Sequence, residues 1–171
     1  INLLRIAGIT LTYLVSPVFI LTTYCTGLVA VDENIMYEGT GLRGRSELRR
    51  IDMTTGEVLQ SIELSDEYFG EGVTYYPDPV TGEGRLIQIT WQLQTGFIYD
   101  AVTFQRLSTF TFTTTQNEGW GITYDTETNE FVVSDGSNVF IRQRNVSSGD
   151  GPGGSHLYTT GGYLDSSWFN R

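Results

Sequence analysis

An all-β fold, a β-propeller of four-stranded antiparallel blades, is the class this sequence predicts, and three observations carry it. Short apolar strands alternate with turn residues along most of the chain. The openings of successive copies, Gly27-Leu28-Val29, Gly72-Val73-Thr74 and Gly121-Ile122-Thr123, lie 45 and 49 residues apart. Neither helical periodicity nor a leucine ladder accompanies the repeat, as a solenoid of that period would require. Four strands in a repeat of this length make a propeller blade, whose sheets pack radially about a central channel.

Each opening strand is followed by a second apolar run: Ile35-Met36-Tyr37, Leu86-Ile87-Gln88-Ile89 and Phe131-Val132-Val133. Third strands run into turns, Leu48 to Gly56 in the first copy and Phe97 to Phe104 in the second. Asp52 and Asp100, like Thr55 and Thr103, are related by one constant offset of 48. Fourth strands, Val58 to Leu64 and Gln105 to Phe112, show the period-two alternation of half-buried strands. The third copy breaks where a strand ending in Asp is due, giving Val139-Phe140-Ile141-Arg142 and then a stretch rich in Gly and Ser. Two complete repeats and the first half of a third, about two and a half blades, are therefore expected.

Three segments follow: residues 1–23 an apolar leader, 24–142 a partial propeller, and 143–171 a tail too poor in apolar residues to offset the entropy of ordering. The leader is uncharged from Ile6 to Val31 and long enough for a membrane span, although Gly8, Ser16 and Pro17 weaken it as a helix. A signal or anchor remnant and an ordinary strand-rich leader are both open readings. The chain opens on Ile1 rather than Met, as a partial or processed chain would.

The chain has 171 residues, with 20 acidic against 10 basic side chains, every one of the latter Arg. Such a balance offers no footprint for phosphate backbones, which argues against nucleic acid as a partner. Cys25 and His156 are each the only residue of their type, so zinc fingers and disulfide frameworks are excluded. No metal and no cofactor is expected. A Ser-His-Asp mechanism would rest on His156, within the Gly-rich tail. Trp168-Phe169 reads as an isolated aromatic pair.

Blade symmetry points to a site. The residues preceding the opening glycines, Thr26, Glu71 and Trp120, should project to one end of the channel. Gly39, Trp91 and Asp135, at the ends of the second strands, should form a neighbouring ring. One carboxylate between two indoles is the setting of an acid-base group, because apolar walls disfavour its charge. Ser134-Asp135-Gly136-Ser137 also reads as a turn, the favoured role for Asp135.

The run Tyr37-Glu38-Gly39-Thr40-Gly41-Leu42-Arg43-Gly44-Arg45-Ser46-Glu47-Leu48-Arg49-Arg50, followed by Tyr68-Phe69-Gly70-Glu71-Gly72-Val73-Thr74, Thr90-Trp91-Gln92 and Glu118-Gly119-Trp120-Gly121, resembles the plant and bacterial type of glutaminyl-peptide cyclotransferase. The likeness extends from about Gly27 to Ile141. It implies a five-bladed propeller of the secretory route, extracellular space or periplasm. It also implies conversion of the N-terminal glutamine of peptides or proteins to pyroglutamate with loss of ammonia, without the catalytic zinc of the animal enzyme. On that likeness Glu71 is the catalytic acid-base, and Phe69, Trp91, Trp120 and Thr26 contact the substrate. Thr26 stands where the family has Gln, and the site Asn, Trp and Lys of the later blades have no counterpart here.

A non-catalytic propeller that binds peptides, or an inactive piece of the enzyme, is the competing expectation. Asn145-Val146-Ser147 fits an N-glycosylation acceptor. Membrane contact would come only through the leader. Two and a half blades would also leave Phe131, Val133, Phe140 and Trp120 unusually exposed, and activity of this chain alone is doubtful on that ground.

Overall fold

The computed structural model describes residues 2–6, 9–13, 24–137, 139–145 and 157–165, with side chains over 24–137. His156, Trp168 and Phe169 lie outside the described residues. Fourteen strands are described and no helix. β1 (Asn2–Ile6) and β2 (Ile9–Tyr13) pair as an antiparallel hairpin, so these two parts of the leader are strands. Among the described residues no helix is long and apolar enough to cross a membrane.

The remaining strands form three four-stranded antiparallel sheets, each in simple chain order. The first holds β3 (Cys25–Ala30), β4 (Ile35–Thr40), β5 (Glu47–Asp52) and β6 (Val58–Glu63). The second holds β7 (Gly70–Pro77), β8 (Gly84–Thr90), β9 (Thr95–Asp100) and β10 (Arg106–Thr111). The third holds β11 (Ile122–Asp125), β12 (Glu130–Ser134), β13 (Val139–Asn145) and β14 (Leu157–Asp165). These are the meander sheets of a propeller, with β3, β7 and β11 side by side.

The third sheet departs from the sequence reading. Its strands continue past Gln143, where the repeat pattern broke, and β14 supplies the fourth strand from within the expected tail. Outer strands bury little, as the largely exposed β6 and β10 show, so a fourth strand can form from a sequence without a strong apolar pattern.

The Asp repeat is a turn device. Asp52 Oδ1 accepts the backbone N–H groups of Thr54 and Thr55 at 2.7 and 2.9 Å, and Asp100 Oδ1 those of Val102 and Thr103 at 3.0 and 2.8 Å. Asp78 and Asp125 cap their turns the same way.

Two apolar clusters fill the spaces between sheets. Tyr37, Leu48, Leu64, Val73, Leu86, Phe97 and Tyr99 join the first sheet to the second. Tyr76, Ile87, Ile89, Ile98, Phe110, Phe112, Phe131 and Val133 join the second to the third. The middle sheet is covered on both faces, which is why β8 reads as a nearly continuous apolar run. Phe131 and Val133, expected to be exposed, are fully buried because they face the second sheet, where Phe131 meets Tyr76 edge-on with centroids 5.1 Å apart.

The opening glycines allow the inner strands to touch. A Cβ on Gly27 would lie 2.5 Å from the Val73 nitrogen, and one on Gly72 would lie 2.6 Å from the Ile122 nitrogen. Either contact is with backbone, which cannot step aside as a flexible side chain can. Gly72→Ala is therefore expected to destabilise the fold by about 1–3 kcal/mol through overpacking, read from the midpoint of urea unfolding; an unchanged midpoint would refute this account of the repeat.

Candidate functional site

Two of the three residues that precede the opening glycines occupy β-bulges. The β3–β4 register shifts between Cys25 and Gly27, where Thr26 sits, and the β7–β8 register shifts between Gly70 and Val73, where Glu71 and Gly72 sit. A bulge bends its strand and re-aims the extra side chain. Trp120 holds the same place in the third sheet. Its N–H donates to the Ser134 carbonyl at 2.9 Å, and its carbonyl accepts the Gly72 N–H at 2.7 Å. Neighbouring sheets are thereby linked at the level of Glu71.

Strand pairing also revises the second ring. Thr40 lies opposite Cys25 as Thr90 lies opposite Gly70, so the counterpart of Trp91 in the first sheet is Gly41 and not Gly39. The Gly41 N–H donates to Tyr24 O at 2.8 Å just as the Trp91 N–H donates to Phe69 O at 3.0 Å. Space at Gly41 is tight, since a Cβ there would meet the Phe69 ring at 2.4 Å. Phe69 can then rest against Trp91, with centroids 5.8 Å apart at 63°.

Glu71 is half-buried, and its carboxyl is pushed up to about 7, first by loss of solvent and second by the negative charge of Glu118. Trp120 is 48% exposed, as expected of it, while the side chain of Phe140, expected to be exposed as well, lies outside the described residues. Trp91 is half-buried beside Phe69.

The Thr26 hydroxyl, expected to contact substrate, makes hydrogen bonds within the structure. It donates to the Gly70 carbonyl at 3.0 Å, with the carbonyls of Gly39 and Glu71 at 3.3 Å. A hydroxyl has one proton to give, and this one ties the first sheet to the bulge of the second. Asp135 is buried and accepts from Gln116 N at 3.0 Å, Ser137 N at 3.1 Å, Ser137 Oγ at 2.6 Å and the Thr115 hydroxyl. The turn reading of Asp135 thus extends to a second loop, the one that leads to Glu118.

Glu118 is the residue that sequence reasoning passed over. Its Oε2 accepts the Trp120 Nε1–H at 2.9 Å. Donors from Trp91, then Trp120 and Gln92, hold its carboxyl below the ordinary value. The signal was present in the motif, since residues two apart on an extended segment share a face, and Glu118 and Trp120 are so spaced. The site therefore pairs a carboxyl that takes up a proton near neutrality with one held below its ordinary value, the second bonded to the Trp120 indole. No group of side chains suited to a metal ion occurs among the described residues.

Comparison with known proteins follows the same lines. Residues 12–147 match a family model described as glutamine cyclotransferase. A glutaminyl-peptide cyclotransferase of Arabidopsis thaliana is 33% identical over 119 residues, covering 70% of this chain and 34% of the relative. The crystal structure of Myxococcus xanthus glutaminyl cyclase superposes with a TM-score of 0.59 at 25% identity, covering 83% of this chain and 50% of that one. The chain thus spans about a third of the curated relative and half of the solved one.

The raised Glu71 value makes a prediction about stability. The folded protein holds this proton more tightly than the unfolded chain does, so the stabilisation is complete below the unfolded value near 4.5 and is lost as pH rises through about 7. Glu71→Gln imitates the protonated form. It should match the parent in urea unfolding near pH 4 and exceed it by about 1–2 kcal/mol near pH 8, the full shift being discounted for partial solvent exposure.

Proposed function

Because this chain belongs to the glutamine cyclotransferase family, we propose that it carries the acid-base half of a site that cyclises the N-terminal glutamine of a peptide or protein to pyroglutamate. The observation that carries this reading is the half-buried Glu71, set on a bulge beside Trp120 and exchanging its proton near neutrality. Acid-base catalysis is most efficient when the group's affinity for its proton matches the working pH.

The substrate's α-amine nitrogen attacks its own γ-carboxamide carbon, so the reacting groups are already joined and the protein must chiefly orient them and move protons. Ionised Glu71 takes a proton from the attacking nitrogen as the new N–C bond forms. It then returns a proton to the departing nitrogen as the old C–N bond breaks, and ammonia leaves. Trp91 and Trp120 supply apolar faces against which the aliphatic stem of the glutamine lies, and Phe69 backs Trp91.

Glu71→Gln should lower pyroglutamate formation from a Gln-initiated peptide by about 10²–10⁴-fold while binding of that peptide stays within a few-fold. Ammonia release and a binding titration, run on a chain that includes the rest of the propeller, read both. Turnover close to that of the parent would exclude Glu71 as the acid-base.

The secretory route, extracellular space or periplasm is the proposed location, and a host with N-glycosylation allows a test. Asn145 ends β13, opposite Leu157 on β14. Glycosidase treatment of protein from such a host should shift its band downward, and an unshifted band would count against that route.

A further inference from the structure

Glu118 lies outside the acid-base chemistry just assigned, yet it is the hub of the polar contacts at the site. We propose that Glu118 is a positioning residue, whose carboxylate takes the indole N–H of Trp120 while its loop is tied to the Trp91 carbonyl, and which so sets the two tryptophans at the level of Glu71. The inference rests on the reading of the site given above, and its test is chosen to be independent of turnover.

The geometry makes Glu118 a rigid clamp. Its backbone N–H donates to Thr114 Oγ1 at 3.0 Å, while the Thr114 hydroxyl donates back to the Glu118 carbonyl at 2.7 Å. Thr114 is itself buried. The next residue, Gly119, donates its N–H to the Trp91 carbonyl at 2.9 Å, which fastens the loop to the end of β8. Asp135 anchors the same loop further back, through Thr115 and Gln116. Both the backbone and the loop around the carboxylate are held before its side chain makes any contact.

The donors are equally constrained. An indole has a single N–H and no acceptor, so a carboxylate is its natural partner in a cleft. Trp120 meets Glu118 Oε2 at 2.9 Å and lies against Gly136, where a Cβ would come within 2.8 Å of the ring. Gln92 is oriented from the other side, where Arg43 Nη2 donates to its Oε1 at 3.3 Å. Arg43 in turn is held by the Glu67 carbonyl at 3.1 Å.

A clamp of this kind also acts on Glu71. The charged groups that bear on the pair are few: Glu118 bears on Glu71, and Asp135 bears on Glu118. Fixing a negative charge near Glu71 favours its protonated form, so one residue both shapes the cleft and sets when Glu71 carries a proton.

The test uses the whole chain and nuclear magnetic resonance of its tryptophan indole N–H groups, assigned by single Trp→Phe replacements, with the Glu71 carboxyl carbon followed against pH. Glu118→Ala should release the Trp120 indole, moving its signal and speeding its hydrogen exchange roughly tenfold or more, as loss of a hydrogen bond to a charged acceptor implies. Glu118→Gln, which keeps the shape and one acceptor oxygen, should lower the pH at which Glu71 titrates. An unmoved Trp120 signal in Glu118→Ala overturns the proposal, as does an unmoved Glu71 midpoint in Glu118→Gln. If the alanine variant fails to fold, the glutamine variant decides alone. None of these readouts needs pyroglutamate to form, so a failure of the clamp and a failure of the cyclisation reading are separable.

Discussion

The close approach of inner strands is the constraint from which the rest of the structure follows. Sheets that radiate from one axis crowd together at their innermost strands, and here Gly27 and Gly72 meet the backbone of the next sheet at distances no Cβ could share. The chain answers the crowding with glycine and with bulges, which let one residue step out of each ladder. Thr26 and Glu71 are the residues displaced. The packing that brings the sheets together is thus also what turns Glu71 toward the site.

Much of this was legible because the constraint repeats. Three glycines in equivalent places gave the blade boundaries, and a recurring Asp that caps backbone N–H groups marked the outer turns. The third sheet was legible only in part. An outermost strand such as β6 or β10 is mostly exposed, so the pressure on its composition is slight and the Gly and Ser-rich sequence before β14 concealed it. Burial of Phe131 and Val133 was misjudged for a related reason. Sheet faces in a radial stack are covered one neighbour at a time, and the second sheet alone suffices for these two.

The candidate site divides the same way. Glu71, Trp91 and Trp120 could be placed from repeat register, since backbone symmetry decides where their side chains begin. Register does not decide what a polar side chain will bind. Thr26 holds the equivalent position, yet three carbonyls surround its hydroxyl and draw it into the structure. Gly39 was two residues from the true counterpart of Trp91 because the turn from β3 to β4 is shorter than the turn from β7 to β8, which changes the offset between the sheets. Glu118 belongs to no strand, and its importance lies in donors that come from separate parts of the chain.

Two carboxyl groups near one another would ordinarily resist carrying charge together, and the site resolves this by unequal supply of hydrogen bonds. Glu118 receives the N–H donors of Trp91, Trp120 and Gln92 and keeps its charge. Glu71 has desolvation and the Glu118 charge acting on it, and both favour its proton. Separated affinities are what the proposed division of work requires, one group exchanging a proton and the other keeping its charge. An indole that supplies its N–H to a carboxylate is also an indole whose face is fixed. The Trp120 N–H that helps keep Glu118 charged therefore also fixes the Trp120 ring, so the electrostatics and the shape of the site share that hydrogen bond.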